Sequence, residues 1–383
     1  MHIYELPTPA VLVDLNKLEN NVRRAADLAR KYNKKLWPMV KTHKSLYIAK
    51  LQKEYGAEGF LCGTLDEAEA LVEAGLSKNL MLGYPIVDKE NLLRVIKLVE
   101  NGARVILRVD SVASAELIDK TLTQHNVVVD YVVKVDVGQN RLGVKPEKIV
   151  DFVKSLSRFR SLKFVGIATH PGHAYRALNA EEVRKVAKDV ALKFENVVKS
   201  LRDAGYELEF IGTGSTPTFR FDVNEPIYTH LFPGNYVYYD RIQALVFGSA
   251  ELNDCALTVL ATVISIPEHS EGRLAVINAG SKTLSVDRGA HGIESIKGYG
   301  HIVEHPKTTI VSLSEEIGVV DISTDPTVKV GEKVNIIPNH SCIVSNATSY
   351  LIAHRNARVM KLIKVDMRNN VKTPEIISSL QFL

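Results

Sequence analysis

Three groups of residues in this sequence have the types and spacings that chemistry needs. Lys41 closes the apolar run Leu36-Trp37-Pro38-Met39-Val40 and is followed by Thr42-His43-Lys44. A lysine at such a strand end, desolvated and close to other cations, gives up its proton more readily and can act as a Schiff-base nucleophile. Gly212-Thr213-Gly214-Ser215-Thr216-Pro217-Thr218 sets two glycines among hydroxyl side chains. Glycine lets the backbone approach a ligand, and the amides of such a turn can form an anion nest, so the segment reads as a phosphate cradle. His340-Ser341-Cys342 follows the run Lys333–Ile337. In extended chain, residues i and i+2 share a side, and an imidazole beside a thiolate makes a two-ligand zinc site with open positions. Each group also has a plain structural reading: a solvated lysine, a tight turn, and a hydrogen-bonded histidine near a buried cysteine.

These residues need elements to hold them. Short β-branched runs at Leu36–Val40, Gly59–Cys62, Leu80–Gly83, Arg104–Val109, Tyr131–Val135, Phe164–Thr169, Leu208–Gly212 and near Tyr236–Tyr238 alternate with helical patterns such as Leu15–Tyr32 and Glu181–Ala204. Asp88 before Lys89–Glu100 is a helix cap, and Thr64 with Glu67 makes a capping-box pattern. Eight strands alternating with helices predict an α/β fold, a (β/α)8 TIM barrel, whose chemistry lies at the C-terminal ends of its strands. Lys41 then follows strand one. Asp136 to Gly143, with Arg141, follows strand five, and His170-Pro171-Gly172-His173-Ala174-Tyr175 follows strand six. The glycine and hydroxyl loop follows strand seven, and Pro233-Gly234-Asn235-Tyr236 belongs to strand eight, where barrels commonly bind phosphate. No Gly-rich dinucleotide turn follows the first strand, which argues against an open doubly wound sheet. After about Ala244, Val-, Ile- and Thr-rich runs separated by turns (Leu257–Ile266, Leu274–Asn278, Thr309–Leu313, Lys333–Ile337, Ala357–Val365) predict a mostly antiparallel β domain. The expected division is a barrel over 10–243 and a β domain over 244–383, with residues 1–9 joining the latter and Ile3–Leu6 as an edge strand. From about Arg368 the chain turns polar and then apolar.

Composition removes several function classes. The chain has 383 residues, with 48 Lys+Arg against 44 Asp+Glu, a net charge of +4. With 45% hydrophobic and 24% charged residues it can bury a large core. The basic residues are interspersed with acids rather than gathered, so no nucleic-acid partner is expected. No run approaches a bilayer span, and the first residues lack the basic and apolar regions of a signal peptide, so no membrane association is expected. The 3 cysteines, Cys62, Cys255 and Cys342, make an odd count with no disulfide framework. The expectation is a cytoplasmic enzyme.

At the level of whole motifs the sequence resembles the D-threonine aldolase / D-serine dehydratase family. The resemblance rests on Thr8-Pro9-Ala10 with Val13-Asp14, Pro38-x-Val40-Lys41-Thr42-His43-Lys44, Asp136-Val137-Gly138-x-x-Arg141-x-Gly143-Val144, Gly214-Ser215-Thr216-Pro217-Thr218, Pro233-Gly234-Asn235-Tyr236, Ala279-Gly280-Ser281-Lys282-x-x-Ser285-x-Asp287-Arg288-Gly289, Leu313-Ser314-Glu315-Glu316 and Pro338-Asn339-His340-x-Cys342. It implies an alanine-racemase-type barrel carrying pyridoxal 5'-phosphate, joined to a β domain. By resemblance, Lys41 links to the cofactor and moves the Cα proton. Ser215, Thr216 and the Gly212–Gly214 backbone hold the phosphate, and Gly234 and Asn235 complete that cradle. Arg141 stands by the phenolic oxygen, and Tyr175 approaches the ring nitrogen. His340 and Cys342 bind Zn2+ or another divalent cation. His170 and His173, with Asp287 and Arg288, serve as catalytic or substrate contacts.

The implied substrate is a small D-β-hydroxy amino acid, and the implied assembly a homodimer completed through Ser281–Gly289. A site of this kind supports β-elimination to a keto acid and ammonia, or retro-aldol cleavage to glycine and an aldehyde. The His-x-Cys pair resembles the dehydratases' zinc pair, whereas the aldolases tend to carry His-x-Asp, so elimination leads. A racemase would leave the metal pair unexplained, and a non-catalytic cofactor carrier would leave the β domain unexplained. Trp37, Met39, Phe232 and Ile317 depart from the family pattern by replacing polar groups. Lys134 aligns with a lysine that some alanine racemases carbamylate, but a strand lysine reads as solvated.

Overall fold

The computed structural model describes residues 1–289 and 294–368. The polar-then-apolar tail lies almost wholly outside the described residues. Eight parallel strands form the barrel sheet: Lys35–Leu36, Phe60–Cys62, Asn79–Leu82, Arg104–Val109, Val129–Lys134, Leu162–Ala168, Phe210–Thr213 and His230–Leu231. The first and last pair with each other, and a parallel bridge between Met39 and Leu61 joins the first to the second. The Leu61 amide donates to the Pro38 carbonyl at 3.0 Å there, which closes the ring.

Helices such as Leu15–Lys31, Lys89–Glu100 and Ala180–Asp203 pack outside. In the first, Leu15, Leu18, Val22, Ala25, Ala26 and Ala29 are buried at helical spacing, and each large side chain contributes about 1.5–3 kcal/mol on burial. Their starts are capped by Asp14, Asp88 and Asn179. Thr64 caps its helix through the Glu67 amide, but the expected return bond is absent. The Glu67 carboxylate instead accepts from the Gly63 amide at 2.6 Å and faces Lys44.

The eighth strand is a second correction. It is His230–Leu231, not Tyr236–Tyr238. Tyr236 to Tyr238 are fully buried, but Asn235–Val237 is a single 3-10 turn. The ladder ends where the Phe232 amide donates to the Thr213 carbonyl at 2.9 Å, before Gly234 turns the chain. Burial of the three aromatic-apolar residues mimicked a strand pattern.

The second sheet runs in the order Thr309–Leu313, Gly318–Asp321, Leu274–Ile277, Leu257–Ser265, Ala10–Asp14, Tyr350–Arg355 and Arg358–Lys364. Lys333–Ile337 also pairs with Leu257–Ser265, and His301–Ile302 with Lys333–Ile337. All pairings are antiparallel except that of Ala10–Asp14 with Tyr350–Arg355. Ile3–Glu5 is a 3-10 turn rather than an edge strand, because Ile3 and Leu6 bury at a spacing of three, and His2 and Glu5 cap each other. The first residues touch the sheet edge only through a bridge of His2 to Arg358 and the Ile3 amide on the Ala357 carbonyl at 2.8 Å, while the N-terminal strand proper is the central Ala10–Asp14, and the chain enters the barrel only at Leu15.

Candidate active site

A cavity of about 400 Å³ opens at the C-terminal end of the barrel strands and is lined by residues of both domains. The loops deliver Lys41, Arg141, His170, Tyr175, Gly214, Ser215, Thr216, Gly234 and Asn235 to it, and the β domain delivers His340 and Cys342. His173 is not among the lining residues. It packs on Gly138, where a Cβ would stand 3.5 Å from its ring, because the 3-10 turn Gly172–Arg176 rotates it away from Tyr175.

Lys41 lies in the turn Val40–Thr42, with its side chain exposed at the mouth. The expected desolvation is therefore absent. His43 is buried against Gln52, and Lys44 is buried against Glu67 at 3.1 Å. Gly63 gives Lys41 its room, since a Cβ there would lie 3.1 Å from the lysine Cβ.

The glycine and hydroxyl loop is held hard against the eighth strand. A Cβ on Gly214 would stand 2.6 Å from the Phe232 carbonyl oxygen, so only glycine fits. The Thr216 hydroxyl oxygen accepts from the Asn235 amide at 2.9 Å and from the Gly234 amide at 3.3 Å. Those two amides are thus committed to Thr216, and its hydroxyl proton is left to point elsewhere. The Ser215 and Thr218 hydroxyls are 2.8 Å apart. The Tyr175 hydroxyl stands against the Thr216 amide and Gln243, at this loop. His170 donates from Nδ1 to the Gly214 carbonyl. Burial, reinforced by Lys41, Lys134 and Arg141, holds that imidazole well below its ordinary pKa.

Two cations of the cavity were not expected. Lys134 is buried and lines the cavity rather than facing solvent. Burial, then Arg108 and Arg141, push it down to about 7. Arg108 is also buried, and burial followed by Arg141 lowers its guanidinium to about 10. Its Nε has no hydrogen-bond partner. Strand periodicity held the signal: Arg108 and Lys134 each lie two residues after Ile106 and Val132, which face the barrel interior. Asp240 and Gln243, also lining the cavity, had no such signal.

Three departures from the family pattern are packed together. Trp37, Met39 and Phe232 join the apolar interior of the barrel, and Arg108 lies over the Phe232 ring at 5.7 Å. Ile317 is exposed on the hairpin between Thr309–Leu313 and Gly318–Asp321, outside the cavity lining.

The His340/Cys342 pair forms by a different route from the extended one expected. His340 stands at the N-cap position of the helix Ser341–Ala347 without a side-chain cap bond, and Cys342 sits in its first turn. The two side chains nevertheless meet. The Cys342 sulfur also lies 3.3 Å from the Thr42 hydroxyl, and His340 Nδ1 lies 2.7 Å from an Asp287 oxygen. Asp240, buried behind them, accepts from Asn235 Nδ2 at 2.7 Å and from the Ser341 amide at 3.1 Å. Burial pushes its carboxyl up, against the pull of His340. Among the described residues no group of three or more His, Cys, Asp or Glu side chains comes together as a ready ligand set. No helix there is long and apolar enough to cross a membrane.

Comparison with known proteins accounts for this architecture. The family model "Alanine racemase, N-terminal domain" matches residues 13–241, and the model "Putative serine dehydratase domain" matches residues 256–354. A 3-hydroxy-D-aspartate aldolase of Paracoccus denitrificans is 28% identical, with 95% of this chain and 92% of that protein covered. A D-serine dehydratase of Dictyostelium discoideum is 26% identical, covering 94% of this chain and 97% of the relative. The solved D-threo-3-hydroxyaspartate dehydratase of Delftia sp. HT23 superposes with a TM-score of 0.86 at 25% identity, over 95% of this chain and 98% of the other. Solved D-threo-3-hydroxyaspartate dehydratase structures also include a histidine-to-alanine variant and a cysteine-to-alanine variant two positions further on, the latter solved in a metal-free form. The chain belongs to the alanine racemase N-terminal-domain family, in the arrangement that couples its barrel to a serine-dehydratase-type second domain.

Proposed function

We propose that the protein is a pyridoxal-phosphate-dependent lyase acting on small D-β-hydroxy amino acids, by β-elimination to a keto acid and ammonia. The observation that carries this reading is the convergence, in one cavity, of Lys41, the Ser215/Thr216 loop, three cations and the His340/Cys342 pair. The residues fit the cofactor. Buried Arg108 and Lys134, with the exposed Arg141 beside them on the cavity wall, leave an unpartnered Arg108 Nε–H, which is an environment that wants anionic oxygen. The hydroxyl loop offers a separate neutral cradle for a phosphate.

When bound, pyridoxal phosphate supplies an electron-withdrawing ring that stabilises negative charge at the substrate Cα. Ser215 and Thr216 would hold its phosphate, with the Gly234 and Asn235 amides fixing the Thr216 hydroxyl from behind and Tyr175 bracing the same loop. Arg141 would meet its phenolic oxygen. Lys41 would link to it and move the proton at Cα, while His170 holds the loop through the Gly214 carbonyl. His173, lying outside the cavity, has no part in this reading.

The donor set of His340 and Cys342 fits a zinc ion, which would act as a Lewis acid toward the β-hydroxyl. An Asp287 carboxylate on His340 Nδ1 is the orienting partner that ligating histidines use. We weigh the His340/Cys342 pair toward elimination over cleavage because it resembles the zinc pair of the dehydratases. Retro-aldol cleavage is the second reading, because the 28%-identical Paracoccus relative is an aldolase.

A panel of D-serine, D-threonine and D-3-hydroxyaspartate decides between them. Keto acid and ammonia without glycine is expected, and glycine with an aldehyde would overturn the elimination. Lys41→Ala should abolish the imine absorbance and lower turnover by about 10³-fold or more. Chelation should also abolish turnover. The odd cysteine count and the family resemblance support a cytoplasmic homodimer, testable by analytical ultracentrifugation.

A further inference from the structure

Asp222 ends the short helix Phe219–Asp222 behind the glycine and hydroxyl loop and is 1% exposed. Its Oδ2 lies 2.6 Å from the Thr218 hydroxyl, and Oδ1 has no partner. The Thr218 hydroxyl lies 2.8 Å from the Ser215 hydroxyl, and Ser215 lines the cavity. A three-membered chain, carboxyl to hydroxyl to hydroxyl, therefore connects a buried acid to the loop. No cation compensates that acid among the groups acting on it: Thr218 bonds to it, Glu225 repels it, and Tyr228, itself facing Glu195 on the long helix, lies within its field.

Each hydroxyl has one proton, so the chain can run in only two directions. If Asp222 is ionised, Thr218 must donate to it. Ser215 then donates to Thr218, and its oxygen turns a lone pair to the cavity. If Asp222 carries a proton, it donates to Thr218, Thr218 donates to Ser215, and the Ser215 O–H is free to point outward. The Thr218 amide donates to the Ser215 oxygen at 3.3 Å in either case.

We infer that Asp222 is a positioning residue that sets the Ser215 hydroxyl as a donor to a bound phosphate dianion, so that phosphate binding is coupled to uptake of one proton at Asp222. The inference rests on the reading of this loop as the phosphate cradle. Desolvation in this pocket, which raises the carboxyl to about 8, puts the exchange within reach of neutral solution.

The test is calorimetric titration of inorganic phosphate into the cofactor-free full-length protein at pH 7.5 to 9.5, in buffers of different ionisation heat. Phosphate's own titration at the low end of this range and that of Lys134 are common to every variant compared, so the difference between variants reports Asp222. The wild type should take up up to one proton per phosphate and lose affinity by up to 10-fold per pH unit above the Asp222 transition. Asp222→Asn, which cannot titrate, should bind phosphate with that uptake and that slope removed. Thr218→Val, which cuts the chain and tests the idea should the first variant not fold, should also lose the slope and bind more weakly. Retention of the wild-type slope and proton uptake in either folded variant would overturn the relay while leaving the cradle standing. If Ser215→Ala binds phosphate as the wild type does, the cradle reading fails, and the relay with it.

Discussion

The Lys44 ammonium and the Glu67 carboxylate meet at 3.1 Å beneath the turn that carries Lys41, with 8% and 0% of their side chains exposed. Glu67 also takes the Gly63 amide at 2.6 Å, and Gly63 is the residue against which Lys41 packs. One buried carboxylate thus ties the second barrel strand to the lysine turn of the first. Breaking such a pair from one side costs more than the pair itself contributes, because a buried charge is left behind. Glu67→Gln should lower unfolding stability by about 3–5 kcal/mol. Replacing both partners with leucine should recover much of it, as urea denaturation would measure.

Asp287 holds His340 through Nδ1 at 2.7 Å, and the histidine lowers the Asp287 carboxyl in return. Asp287→Asn should weaken zinc binding by about 10–100-fold and leave the fold intact. Competition with a chromogenic chelator would measure the loss, and unchanged affinity would remove Asp287 from the metal site.

Lys134 gives a pH dependence of stability. Its folded value of about 7 lies below the ordinary 10.5. Between those values the unfolded chain binds more protons, so stability rises with pH across the interval, and the cost is fully present below about 7. Lys134→Met should stabilise the cofactor-free protein at pH 6 by about 1–3 kcal/mol, with the gain fading toward pH 10. Thermal melts of both proteins across this range would show the convergence.

His305, far from the cavity, is clamped by Asp325 at 2.9 Å and Glu332 at 3.0 Å. Burial opposes its charge, but the two carboxylates win and raise it above 6.5. A raised histidine stabilises fully below its unfolded value and loses that contribution as pH climbs through the folded one. Asp325, lowered to about 2, works in the opposite sense and loses its contribution as pH falls below 3.8. His305→Asn should therefore destabilise the β domain near pH 5 by at most about 1 kcal/mol, given the exposure of its partners, and have no effect near pH 9.

Much of this site was legible because its residues follow strands. Lys41, Arg141, His170 and the Ser215/Thr216 loop reach the cavity because a barrel delivers whatever follows its strands to one rim. The sequence was least informative where two elements share a pattern. Tyr236–Tyr238 is as apolar as a strand yet forms a turn, and Ile3–Leu6 buries like one yet is a 3-10 turn. Arg108 and Lys134 were hidden by a prior that places charges in solvent, although strand alternation pointed them inward. His173 shows the limit of the rim rule, since a 3-10 turn can rotate one of two neighbouring side chains out of the site.

The strand Ala10–Asp14 lies in the middle of the second sheet, with Val13 opposite Leu257 on one side and Ala353 on the other. It precedes the barrel in the chain, yet both of its neighbours, Leu257–Ser265 and Tyr350–Arg355, follow the barrel. During synthesis the barrel can assemble while this strand waits with both edges unpaired, an arrangement of high contact order that slows folding and invites association with other chains. Completion of the molecule is thereby deferred to the arrival of its C-terminal strands. A chain interrupted before Tyr350 would carry an open edge at the centre of its sheet, rather than a finished barrel with a missing appendage.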